Sequence, residues 1–226
     1  MSGHFTILSS PEFIDIHDEI QRRESLNYNL EIKNDCILMY DYLKSCNLLP
    51  SPYTVEHGIL ATNNYNPEIH LKEQFLKEIR ILANISNVPA SWDVVIYYIG
   101  HSYKGSGNWA IENGEEITFD DVIQTWIDGV NNTCSKNLTL ILDSSQAGYW
   151  VEKLQKPQYQ QYHIAIIAAT TNNNTNESIA ISQNFVYNWI NNYTIPIPQI
   201  PMSYATALYN SIKFTSKLVN CIPNNI

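Results

Sequence analysis

Long apolar runs are missing from this chain. No stretch approaches the ~18 consecutive apolar residues of a membrane span, so none is expected within it. The first residues, MSGHFTILSSPEF, carry no basic segment followed by an apolar core and do not read as a signal peptide. Basic residues are few: 13 Lys and Arg stand against 22 Asp and Glu, a net charge of −9. Sequence-independent binding to nucleic acid and attachment to an anionic membrane both need clustered Lys and Arg. The charge balance therefore predicts no nucleic-acid and no membrane partner. Cysteine is scarce and scattered. Cys36, Cys46, Cys134 and Cys221 form no CxxC pair and no Cys/His cluster, so no metal centre is expected, and reduced thiols in a cytoplasmic protein are. No internal repeat occurs at a solenoid period.

What remains is a globular composition. The 226 residues are 44% hydrophobic and 12% aromatic, enough for one sizeable core and a single domain over 1–226. Two apolar runs organise it. VVIYYI (94–99), in a strand expected over 93–99, stops at Gly100-His101-Ser102, and LTLIL (138–142) stops at Asp143-Ser144-Ser145. A short run that is apolar on both faces reads as a buried strand of a mostly parallel sheet. The intervening residues suffice for a helical crossover, which would bring the carboxyl ends of both strands to the sheet edge where α/β proteins place their sites.

The rest of the chain fits around these strands. Residues 4–9 (HFTILS) and 55–61 read as further strands, and 163–169 (HIAIIAA) as another. A short helix is expected over 14–22. A separate helix is expected from Asp35 to about Asn47, capped by Asn34, with Ile37, Leu38, Tyr40, Tyr42 and Leu43 on its buried face. Asn66-Pro67 opens a helix that ends before Pro89. Asn113-Gly114 marks a hairpin between 109–111 and 116–118. Thr118-Phe119-Asp120-Asp121 caps the next helix. A helix is expected after Ser145 to about Leu154. Beyond the polar tract 172–176, a strand and short helix are expected in 179–190, an extended Pro-rich segment in 193–201, and a final helix over 203–218.

The strand ending in Gly100-His101, the following GSGNWAIENGEEITFDDV, and the second strand ending in Asp143-Ser144-Ser145-Gln146-Ala147-Gly148 together resemble the caspase/metacaspase superfamily. The resemblance covers roughly residues 5–170. It implies a caspase-like three-layer α/β sandwich, with a mostly parallel six-stranded sheet and helices on both faces. The large-subunit-like part would be about 1–156 and the small-subunit-like part about 157–226. The activity it implies is that of a cysteine endopeptidase acting on a peptide or protein substrate in programmed cell death. His101 then matches the catalytic histidine, and Ser145 stands where the family has its nucleophilic Cys. Ser102 replaces the usual Gly, Ala147 a Ser, and Ile99 the Ser often found two residues before the histidine. The backbone N–H groups of Ser102 and Ser145 would form the oxyanion hole. Asp143 and Asp35, the latter in an Asn34-Asp35 pair, would line an S1 pocket for Arg or Lys.

Chemistry tempers that implication. A thiol near a base ionises readily, whereas a serine hydroxyl needs a closely bonded base that is itself oriented by a carboxylate. With Ser145 the chain is expected to be inactive or nearly so, either as an engineered Cys→Ser replacement or as a natural pseudoprotease. The alternatives are a non-catalytic regulatory or binding module of the same fold, with a protein partner, and a Ser/His hydrolase. The acidic group Glu112, Glu115, Glu116, Asp120 and Asp121 could hold calcium, which stimulates many metacaspases. It lacks the alternating ligand spacing of an EF-hand loop and reads as a solvated face, so no cofactor is expected.

Overall fold

The computed structural model describes residues 3–10, 19–51, 59–61, 71–85, 92–111, 115–130 and 136–170. In chain order these form β1 (Gly3–Ser10), α1 (Glu19–Ser45), β2 (Leu49–Pro50), β3 (Ile59–Ala61), α2 (Leu71–Asn84), β4 (Trp92–Gly100), β5 (Trp109–Ala110), β6 (Glu116–Ile117), α3 (Phe119–Val130), β7 (Lys136–Ser144), α4 (Gly148–Leu154), a 3₁₀ turn (Pro157–Tyr159) and β8 (Ile164–Ala168). The expected elements in 179–190, 193–201 and 203–218 lie outside the described residues. So do the Asn113-Gly114 turn and most of the expected small-subunit-like part.

The main sheet runs β2-β1-β4-β7-β8, with β3 also paired to β1, and all its pairings are parallel. Its six strands fill five positions. β2 pairs with His4 and Phe5, and β3 with Ile7 to Ser9, so both share one edge of β1. Among the described residues the sixth strand thus arises from a divided edge. β5 and β6 pair antiparallel in a separate ribbon, as the hairpin reading requires.

Strand alternation assigns the two faces. Val94, Ile96 and Tyr98 of β4, with Leu138, Leu140 and Leu142 of β7, pack under Phe75, Ile79 and Leu82 of α2, Phe119, Val122 and Trp126 of α3, and Trp150 of α4. Val95, Tyr97, Ile99 and Ile141 pack instead against Ile32, Cys36, Met39 and Leu43 of α1. Helices therefore cover both faces, and the architecture is a three-layer α/β fold with a parallel sheet. α3 begins as expected: the Thr118 hydroxyl accepts from Asp121 N–H (3.1 Å), and Asp121 Oδ2 accepts from Thr118 N–H (2.8 Å).

α1 departs from expectation. It is one helix of 27 residues, not a short helix followed by a capped one. Its stretch holds neither Pro nor Gly and is rich in Glu, Gln, Arg, Lys and Leu, so propensity carries it through the polar half. Asn34 is an interior residue and caps nothing. The buried stripe is Ile32, Cys36, Met39 and Leu43, while Ile37 and Leu38 are 45% and 44% exposed. The expected face was rotated because it counted apolar residues without the register of Cys36 and Met39.

α2 and α3 approach closely where Gly129 meets Ala83. A Cβ at Gly129 would lie 2.4 Å from the Ala83 Cβ. Lys72 and Asp121 form an ion pair between the same helices at 2.8 Å. Gly129→Ala is expected to destabilise the fold by about 1–3 kcal/mol through overpacking, despite a helix-propensity gain of up to ~1 kcal/mol; urea unfolding measures it.

Glu78 of α2 is 2% exposed, and among the described residues neither carboxyl oxygen has a hydrogen bond of good geometry. Burial pushes its pKa up to about 7, and the nearby Ser51 and Thr6 hydroxyls offset only part of that. Below the unfolded value near 4.5 both states hold the proton. Between there and about 7 the unfolded chain ionises first, so stability falls as pH rises, and above 7 the penalty is constant. Glu78→Gln should therefore stabilise the chain at pH 8 by roughly 2–4 kcal/mol and leave it unchanged at pH 4, read from thermal unfolding at both pH values.

Candidate functional site

β4 and β7 run in register from Trp92 opposite Lys136 to Gly100 opposite Ser144. His101 and Ser145 are therefore the first residues beyond two adjacent strands, at one carboxyl rim. His101 is exposed and Ser145 half-buried. The two turns are joined by the Ser102 hydroxyl, which donates to the Ser145 carbonyl. Ser102 also forms an isolated bridge with Trp109, and among the described non-glycine residues only Asn47 and Gln146 have positive φ. Its turn thus needs no glycine at 102. Gly100 is different: its φ is +155°, and a Cβ there would lie 2.7 Å from the Ser10 Cβ.

The turn after β7 is held from two sides. The Thr170 hydroxyl donates to the Ser144 carbonyl (2.8 Å) and accepts from Ala147 N–H (3.1 Å). Gln146, at φ 55°, accepts from Gly105 N–H through Oε1 at 2.6 Å. Below the histidine turn, the Tyr98 hydroxyl donates to the His101 carbonyl. The Tyr98, Trp109 and Trp150 rings stack in sequence, with centroids 4.3 and 4.5 Å apart. Trp109 and Trp150 are core, as the rings of a rigid rim must be.

Asp143, the penultimate residue of β7, lies on the α1 face and is 1% exposed, as is Asp35 of α1. The structure does bring these two expected residues together, each within reach of the other's charge. It corrects how Asp35 arrives, which is from the middle of α1 and not from a helix start. Tyr97 O–H donates to Asp143 Oδ2 at 3.0 Å, while Asp143 Oδ1 has no hydrogen-bond partner among the described residues. Burial raises the Asp143 pKa well above the carboxylate range; the Tyr97 bond offsets part of this and the Asp35 charge adds to it. Cys36, bonded to Ser9, is pushed up to about 12, chiefly by burial, so its thiol stays protonated. Tyr97 was missed in the sequence because it sits inside an apolar run; alternation with Asp143, two register positions away, was the available signal.

The acidic group near α3 is used locally. Asp121 caps α3 and pairs with Lys72, Glu116 accepts from the Asn108 amide (3.1 Å), and Asp120 accepts from the Tyr159 hydroxyl (3.4 Å). Glu112 lies outside the described residues. Among the described residues no group of three or more His, Cys, Asp or Glu side chains could hold a metal ion.

No family model matches the chain. Part of it is similar to Transmembrane protein 168 of Rattus norvegicus and of Mus musculus, each 32% identical over 104 residues, 45% of this chain and 14% of that protein. The Homo sapiens protein of the same name is 30% identical over 88 residues, 39% of this chain and 12% of that protein. The matched stretch thus spans about a seventh of the rat relative's length.

These relatives correct several expectations. They are named as transmembrane proteins, and this overturns the cysteine-endopeptidase reading together with its cell-death role and the Ser/His hydrolase alternative. The same names overturn the peptide or protein substrate as partner, the exclusion of a membrane, and the cytoplasmic location. The composition argument failed because it tested only this chain's own charge clusters and apolar runs. No described helix is long and apolar enough to cross a membrane, but a segment matching 14% of a relative need not contain the span.

The Asp143 carboxyl is expected to titrate well above an ordinary aspartate, because burial penalises its charged form, as followed by ¹³C-detected carboxyl shifts in a pH titration. Tyr97→Phe removes the donor that favours the ionised form, so the Asp143 pKa should rise further.

Proposed function

We propose that this chain is an α/β ligand-binding domain of a membrane-associated protein, and that its buried acid pair receives the cationic group of a small ligand. The observation that carries the reading is Asp143, only 1% exposed, with Oδ1 unpartnered among the described residues and Asp35 close by. Two like charges buried together do not hold a fold together well, because each loses its hydration and repels the other. A cation between them reverses both penalties, and strongly perturbed groups of this kind cluster at binding sites. The pair lies one residue below the carboxyl rim, where open α/β sheets take their ligands. His101, Ser102 and Ser145 then line the approach.

The names of the relatives support the membrane association. Kinship of fold with the caspase-like sandwiches is supported by the two strand ends, Gly100-His101 and Asp143 to Gly148, meeting at one rim. That kinship carries no claim of peptide hydrolysis.

Calorimetric titration of the 226-residue chain with n-butylammonium and n-butylguanidinium tests the reading. Binding is expected at pH 8 and should weaken as pH falls, because the cation must displace the proton that the raised Asp143 pKa retains. Asp143→Asn, shown to be folded by circular dichroism, should lose affinity by about tenfold or more. An Asp143→Asn variant that binds as well as the parent would refute the site.

A further inference from the structure

We infer that the Glu78 carboxylate and the Thr6 and Ser51 hydroxyls form a site for one alkali cation at the divided edge of the sheet. Strand pairing sets the place. β2 ends with Pro50 opposite Phe5, and β3 begins with Ile59 opposite Ile7. Thr6 is thus the one residue between them that neither edge strand covers. Ser51 is held there because its N–H donates to the Phe5 carbonyl at 2.8 Å. Alternation with Phe5 and Ile7 turns Thr6 to the α2 face, where Glu78 is buried. The site lies on the sheet face opposite the Asp143 and Asp35 pair and does not depend on it.

All three side chains are withdrawn from solvent: Glu78 is 2% exposed, Thr6 0% and Ser51 4%. Both hydroxyls lie close enough to Glu78 to act on its pKa, and burial outweighs them. Among the described residues, however, neither Glu78 oxygen nor the Thr6 hydroxyl has a hydrogen bond of good geometry. A carboxylic acid kept neutral by burial would donate to one of those hydroxyls. Oxygens that gather without bonding to one another are arranged as the ligands of a cation. The surrounding elements supply no such charge. Lys77 and Arg80 beside Glu78 on α2 are exposed, Lys72 is engaged with Asp121 of α3, and burial lowers the pKa of His4 on β1. None of them contributes to the Glu78 shift. The donor set is oxygen alone, which selects a hard ion over zinc or copper. A single carboxylate balances one positive charge, and no group of three or more His, Cys, Asp or Glu side chains stands among the described residues to hold a divalent ion. Sodium and potassium meet both conditions.

Thermal unfolding of the full chain at pH 8 tests the site, in sodium, potassium and choline chloride at equal ionic strength. Sodium or potassium should raise the midpoint by about 2–4 °C over choline, saturating with concentration. The rise should vanish at pH 4, where the proton holds the carboxyl and excludes the cation. Glu78→Gln keeps the shape and removes the charge, so its midpoint should be the same in all three salts. Thr6→Val replaces one hydroxyl ligand by a methyl and should weaken the rise. The two alkali arms identify the preferred ion. Line broadening of ²³Na that is lost in Glu78→Gln reads sodium binding without unfolding. Equal midpoints in all three salts at pH 8 would overturn the site and leave the proton as its sole occupant. A rise that persists in Glu78→Gln would place the cation elsewhere, the acid pair included, and would overturn the site equally.

Discussion

The in-register pairing of β4 with β7 is the constraint on which the rest depends. Nine consecutive pairs bring the two strands to a common end, so the turns that follow leave from one line. The same pairing decides which face each side chain occupies. A slip of one residue would carry Asp143 away from α1 and into the Leu- and Trp-rich layer beneath α2, α3 and α4. The register is pinned at both ends. Near the start the Asn137 amide donates to Asp93 Oδ1 at 2.8 Å, and the Lys136 ammonium reaches the Ala83 carbonyl at the end of α2. At the far end Ser102 joins the Ser145 carbonyl.

How much was legible in the sequence follows from the kind of force that fixes each part. The β4 and β7 runs were readable because a central parallel strand is buried on both faces, and an unbroken apolar run reports that directly. The α3 cap was readable because its four residues carry the whole geometry. α1 was not. Its polar first half owes its helix to propensity and chain continuity, which leave no apolar stripe to count, and its buried face is set by contact with the sheet. β2 pairs over so few residues that its edge partner, not its composition, makes it a strand, whereas β3 falls within the expected strand 55–61. At the site, His101, Ser145, Asp143 and Asp35 could be named from sequence. The bond from Tyr97 to Asp143 and that from Ser102 to Ser145 could not, since each joins residues more than forty apart.

The rim also shows why a local motif can be read correctly as geometry and wrongly as chemistry. Strand ends that meet at one edge place a histidine beside a hydroxyl whatever the protein does. Hydrolysis would need that hydroxyl to be ionisable by its neighbours, and a serine asks more of them than a thiol does. The buried carboxylates make a different demand. Their charge is costly where they sit, and a bound proton or a counter-charge relieves it.

The single uninterrupted span of α1 has a mechanical consequence. At 1.5 Å per residue its 27 residues measure about 40 Å, against roughly 30 Å for the nine residues of β4 or β7. The helix leads from the carboxyl end of β1 back to β2, which pairs beside His4. With no Pro or Gly to act as a joint, its first turn and the turn bearing Asp35 belong to one unbroken helix, about 24 Å apart.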